Sequence, residues 1–204
     1  MESFIGGSTL DSFRDHVAGA ENPIAGGVAV AAISAGLGMA LLALTLKVAI
    51  RRKDSSGYRI QLTKLLDAAN KESARLMRYG DQDITAYQKY RASLKNKRGT
   101  GVALHRIIEI PLKAASSAAR GVDLCAEAVS LVPSSVRSDL GAAATILAGS
   151  MRAILLTVDV NLRNLPATSE VRRKARKTRR ALESGAVTLL ERVLKQVGSL
   201  PRSY

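Results

Sequence analysis

Side chains of a type and spacing that does chemistry are few in this sequence. Gly26 and Gly27 follow Pro23 and open a long apolar run. Their backbone amides then fall at a helix N-terminus, where a glycine turn can cradle an anion or can simply turn tightly under a packed helix. Lys95-Asn96-Lys97-Arg98-Gly99-Thr100-Gly101 is a basic, glycine-broken loop, which reads either as a solvated connection or as a clamp for a carboxylate or phosphate. Ser138-Asp139 has the types of a helix cap and a first-turn acid. Arg172, Arg173, Lys174, Arg176, Lys177, Arg179 and Arg180 form the strongest local charge signal. Such a run can bind phosphates. No aromatic is interleaved for base stacking, however, and no nucleic-acid-binding signature accompanies it, so a solvated helix face is expected and nucleic acid is not the expected partner.

Other chemistries are excluded by what is missing. Cys125 is alone and His16 and His105 are distant in sequence, so neither a disulfide framework nor a Cys/His metal site is written here. That usage fits a reducing, cytoplasmic compartment. There is no Ser/His/Asp order, phosphate-binding glycine-lysine loop or metal ladder. A formal charge of +14 calls for anionic partners: nucleic acid, an acidic membrane surface or a multiply charged small ligand.

The elements that must position these residues are helices. Residues 23–50 hold no charge before Lys47 and read as one long, wholly buried helix, which belongs either in a bilayer or at the centre of a bundle. Lys47, Arg51, Arg52 and Lys53 would serve as a stop-transfer flank. Trp is absent, no Tyr or Phe lies close to either end, and no second segment is comparably long and uncharged, which favours the bundle. A signal peptide is disfavoured because a basic n-region is missing. Aromatics are 3% of residues, so the core must be small aliphatics on closely approaching helices. Further helices are expected from Ser8 to Gly19, over 58–77, over 81–93, over 102–130 with a kink at Pro111, over 138–165, and from Thr168 or Ser169 to Val197. The expected fold is all-α, about six or seven helices in a single domain spanning 1–204, with no sheet.

His16-Val17-Ala18-Gly19, Pro23, Gly26-Gly27 and the run Ala31-Ala32-Ile33-Ser34-Ala35-Gly36-Leu37-Gly38-Met39-Ala40 resemble the N-terminal signature of the formiminotransferase-cyclodeaminase C-terminal family, which includes methenyltetrahydrofolate cyclohydrolases. Asp83-Ile84-Thr85-Ala86-Tyr87, Ile110-Pro111-Leu112, Ser138-Asp139-Leu140-Gly141 and Val158-Asp159-Val160-Asn161-Leu162 match later elements of the family in order. The resemblance implies a soluble homodimer with the long Ala/Gly helix buried and folate sites in clefts near the subunit interface. It implies a cyclohydrolase or cyclodeaminase whose small-molecule substrate is a tetrahydrofolate derivative, with no separate cofactor and no metal. On that reading Asp139 is the catalytic carboxylate. Lys53 with Lys95 or Lys97 holds the folate carboxylates, Gly26 and Gly27 admit the pterin or its tail, and Ser138, Asp83 and Asn161 contact substrate.

The departures bear on the substrate. Pro23-Ile24-Ala25-Gly26-Gly27-Val28-Ala29 stands where the family usually has Pro-Thr-Pro-Gly-Gly-Gly-Ser, and Ser134, Ser135 and Thr157 stand where it often has Asn. Two alternatives follow: a relative retooled as a cyclase, lyase or hydrolase for another small, less polar substrate, and a non-enzymatic basic binding protein.

Overall fold

Among the described residues, hydrophobic spacing sorts the chain into six α-helices and no strand. They are α1 Leu10–Gly19, α2 Gly27–Arg51, α3 Arg59–Asn96, α4 Thr100–Ala128, α5 Arg137–Leu162 and α6 Glu170–Gly198, with a 3-10 turn at Ser134–Val136 before α5. The structure, a computed structural model, describes residues 7–20, 22–52 and 57–198; Lys53 lies outside them.

Several boundaries differ from the sequence reading. Thr9, not Ser8, caps α1, its hydroxyl accepting the Ser12 amide at 3.1 Å, and Ala20 takes the left-handed C-cap position with φ 52°. The helices expected over 58–77 and 81–93 are one continuous α3, with Gly80 buried inside it. An interior glycine costs about 1 kcal/mol, which packing of α3 against both α2 and α4 outweighs. Ser138 is not a cap: α5 begins at Arg137 after Val136, and Ser138 is an exposed residue of its first turn.

Helices α2 to α5 form an antiparallel ring in which each packs on its chain neighbour and α2 closes on α5; α6 lies outside, across α4 and α5. The ring is tight because its contacts are small. A Cβ at Gly121 would stand 2.4 Å from Met39 Cε and 2.9 Å from Leu147 Cδ1, and one at Gly38 would stand 3.1 Å from Leu147 Cγ. Leu42, Leu46, Leu76, Met151 and Ile154 fill the space between, all fully buried. Polar pins fix the register. Ser117 of α4 donates to buried Glu72 Oε2 of α3 at 2.7 Å while Arg75 holds Oε1 at 2.6 Å. Arg179 of α6 pairs with Asp159 of α5 at 3.1 Å.

The long apolar helix is not wholly buried, as the sequence had suggested. One stripe of α2 faces the core, and the opposite stripe leaves Leu37 57% and Leu44 46% exposed. Neighbouring α5 does the same with Leu156 at 66% and Val160 at 55%. Ile146 Cγ2 lies 3.2 Å from a Cβ built on Gly38, so the two exposed stripes adjoin. Among the described residues two segments, Gly27–Arg51 and Ser134–Leu162, are long and apolar enough to cross a membrane; the second is less apolar and, unlike the first, carries charges along its length, at Arg137, Asp139, Arg152 and Asp159.

Candidate functional site

Antiparallel order brings four helices to one end of the ring, and there they line a partly open cavity of about 190 Å³. The N-terminus of α2 contributes Gly26 and Gly27, α3 contributes Asp83 and Tyr87, and α5 contributes Thr157 and Asn161. Ile24, Val28 and Ile107 of α4 supply apolar wall. Ala29, by contrast, lies under α1 in a small cluster with Phe13, Ala25 and Ile84.

Asp83 is half-buried in this wall, with no ion pair or side-chain hydrogen bond to any of the described residues, and burial pushes its carboxyl up to about 7. Removing a carboxylate from water without a nearby cation disfavours the charged form. The group therefore exchanges protons near neutrality, the property a general acid or base requires. Tyr87 stands one turn further along the same face of α3.

Asn161 is oriented by a backbone defect. Pro111 is interior to α4 and has no N–H to give to the carbonyl four residues earlier, which is that of Ile107. That freed carbonyl accepts the Asn161 Nδ2–H at 2.7 Å. A carbonyl partner fixes which end of the amide is nitrogen, leaving Oδ1 as an acceptor at the cavity wall. The helix passes through Pro111 without a break, and the two residues that matched separate family elements act as one unit.

The glycine pair also reads differently in three dimensions. Gly26 is the N-cap of α2 with φ −92° and ψ −166°, ordinary extended backbone, and Gly27 begins the helix. A Cβ at either would meet nothing within 4 Å. Neither the turn nor packing within the chain therefore requires glycine. Their smallness keeps the α2 N-terminus, with its unpaired first-turn amides, open to the cavity. No side chain caps these amides.

The remaining sequence candidates lie elsewhere. Asp139 is in the first turn of α5 and Asn161 in its last, about 33 Å apart at 1.5 Å per residue, so Asp139 does not share a cleft with Gly26 and Gly27 within one chain. Ser138 is beside Asp139 at that far end. Lys95 is exposed in the last turn of α3, about 18 Å beyond Asp83 along the helix, and Lys97 is its exposed left-handed C-cap. Sequence reading missed Ile107 as a wall residue and as the anchor of Asn161; the signal was its place four residues before Pro111. Cys125 is fully buried and its thiol is pushed up to about 12 by that burial, so it is unreactive. Among the described residues no group of three or more His, Cys, Asp or Glu is arranged to hold a metal.

No curated protein sequence matches the chain. A solved structure, the formiminotetrahydrofolate cyclodeaminase of Thermotoga maritima, superposes with a TM-score of 0.89 at 18% identity, covering 95% of this chain and 98% of that one. The likeness shows a shared fold. The sequence model of the formiminotransferase-cyclodeaminase family matches residues 9–181. With most of its length matched, from the N-cap of α1 into α6, the chain belongs to the formiminotransferase-cyclodeaminase family.

Proposed function

We propose that this protein is a folate one-carbon enzyme, a methenyltetrahydrofolate cyclohydrolase or formiminotetrahydrofolate cyclodeaminase, and that its chemistry is centred on Asp83. The observation that carries this is a half-buried, unpaired carboxyl, raised to about 7, in the wall of the four-helix cavity. The methenyl carbon of such a folate is a cation shared between two nitrogens. An arriving cation favours the ionised carboxylate, which stabilises it electrostatically. Water adds to the carbon, Asp83 takes the proton released, and the same proton returns to the nitrogen that departs as the carbon–nitrogen bond breaks. Asn161 Oδ1 and the first-turn amides of α2 orient the ring system. In the cyclodeaminase variant the folate's bridge nitrogen, outside the pterin ring, attacks the formimino carbon carried on the ring nitrogen, and its proton goes to the ammonia that departs as the bond from that carbon to the former imino nitrogen breaks.

A cavity of about 190 Å³ is smaller than the ~300–1,000 Å³ of ordinary small-ligand sites. Residues 1–204 are proposed to form one domain that dimerises through the adjoining apolar stripes of α2 and α5, so that the rest of the ligand lies along the interface. In this soluble, cytoplasmic homodimer a second copy covers surface that lipid would otherwise suit. Asp139 belongs to the reaction only through that second chain. If α5 crosses its own copy antiparallel near Gly149, the N-terminal end of one α5 lies beside the Asn161 end of the other.

The test is turnover of methenyltetrahydrofolate and of formiminotetrahydrofolate by wild type and Asp83→Asn. We expect one substrate to be consumed by wild type and its turnover to fall about 100-fold or more in the variant. Wild type inactive on both is the result that removes the folate assignment. The apolar wall of Ile24, Val28 and Ile107 then favours the second reading, a cyclase, lyase or hydrolase for a less polar small molecule.

A further inference from the structure

The α6 cations do not simply face solvent. Arg172, Arg173, Arg176, Lys177 and Arg180 line one concavity of about 510 Å³ with Ser169 at its head. Spacings of one, three and four residues place them on one helix face, about 12 Å from first to last. The acids nearby are engaged chiefly on cations outside the concavity, Lys174 and Arg179. Glu170 pairs with Lys174 at 2.8 Å and reaches Arg173 only at 3.8 Å, while Asp159 and Glu183 both hold Arg179. Arg179 thus turns towards α5, unlike its neighbours, which corrects the expectation that all these side chains point outward. No acid lines the concavity, and among the described residues Arg176, Lys177 and Arg180 make no ion pair.

Arg172 is the fixed member. Its Nη1 donates to the Leu165 carbonyl at 2.9 Å, which pins the guanidinium against the α5–α6 connection, and its Nε is buried without a partner. The Arg172 amide reaches Ser169 Oγ at only 3.5 Å, so the α6 N-terminus is weakly capped. Like charges one helical turn apart destabilise a helix, and here Arg172/Arg176, Arg173/Lys177 and Arg176/Arg180 all stand at that spacing. A ligand of matching charge relieves this repulsion on binding.

We propose that this concavity is a binding site for a compact polyphosphate anion, a triphosphate chain either free or carried by a nucleotide. Several adjacent negative charges match cations concentrated on about two turns of helix. Guanidinium forks pair bidentately with phosphate oxygens, and a helix N-terminus adds amide donors. This site is lined by residues separate from the Asp83 cavity and does not depend on the folate reading.

The experiment is calorimetric titration of the full chain with inorganic triphosphate, orthophosphate, ATP, citrate and a 20-nucleotide single strand at constant ionic strength, with thermal unfolding in parallel. The variant is Arg176→Ala/Arg180→Ala, both exposed positions whose removal relieves repulsion, so folding is retained. Expected are triphosphate binding about tenfold or more tighter than orthophosphate, a rise in Tm with triphosphate, and about tenfold weaker binding by the variant. Equal binding of ATP and triphosphate assigns the site to the phosphate chain alone; tighter ATP binding assigns it to a nucleotide. Triphosphate no tighter than orthophosphate, citrate binding equally well, the oligonucleotide binding more than tenfold tighter, or a variant with unchanged affinity each overturns the proposal.

Discussion

Asp83 and Asp139 are both helical aspartates in family-matching segments, and the bundle places them at opposite ends. Asp83 lies between packed helices, where apolar neighbours hold its carboxyl near 7. Asp139 lies in the first turn of α5 at a partly open helix start, where a negative charge is favoured by the helix dipole. A helix-start motif draws attention to Asp139, but proton transfer near neutral pH draws on burial, which is a property of the surroundings. The comparison teaches that the group suited to acid–base work in one chain is the one whose neighbours remove water from it.

The largest expected effect separates the two directly. Asp83→Asn should lose about 100-fold or more in turnover. It should also gain stability, because a carboxyl whose folded pKa is raised from 3.8 to about 7 opposes folding once ionised. That cost is absent below pH 4, grows through the window between the two values and is complete above it. At pH 8 the Asn variant should be more stable than wild type by about 1–3 kcal/mol, after discounting for partial exposure, with the advantage vanishing by pH 4. Urea unfolding at both pH values measures this. Asp139→Ala should cost about 0.3–1 kcal/mol of stability. If its turnover nevertheless falls as far as that of Asp83→Asn, the site is shared between chains, and mixing the two inactive variants should restore part of the activity.

The next effect tests whether a second chain completes the site. Leu156→Arg changes a side chain that is 66% exposed within one chain, so the fold should survive. Sedimentation should show a monomer, since a buried unpaired charge at an interface is strongly unfavourable. Turnover should fall with dimerisation. A dimer of undiminished stability would move the interface elsewhere.

Gly27→Ala sharpens the assignment of the glycine pair. With nothing within 4 Å of the new Cβ, stability should rise by about 0.5–1 kcal/mol, as for Gly to Ala in a helix. Catalytic efficiency should drop about tenfold or more, the usual effect of one methyl in a ligand pocket. Unchanged efficiency would return the glycines to a structural role.

The smallest expected effect concerns orientation. Pro111→Ala supplies an N–H that competes with Asn161 for the Ile107 carbonyl. Stability should hold or improve while turnover falls a few-fold. Asn161→Ala should lose as much, and the double variant no more than the larger single loss, because the two act through one hydrogen bond.

Local sequence was enough to settle the helical class. Apolar spacing, the uncharged run of α2 and the near absence of aromatics all require small-residue packing between helices, and Gly38 and Gly121 provide it. The family, too, was legible in the motifs, because the order of short elements along the chain survives divergence. Two errors mark the limit of local information. Residues 58–77 and 81–93 read as two helices, but contacts on both sides of α3 carry it through Gly80. The apolar run of α2 predicted burial all round, yet burial depends on how many helices surround it, and one chain covers only one stripe.

The site was legible as a set of residue types but not as a place. Gly26, Gly27, Asp83 and Asn161 could be named from the sequence, whereas their separation from Asp139 follows only from antiparallel packing, which puts the two ends of α5 at opposite ends of the bundle. Charge itself is written in residue type. The raised proton affinity of Asp83 and the amide orientation of Asn161 are not, because desolvation comes from distant segments brought close, and the carbonyl freed by Pro111 finds its donor fifty-four residues away.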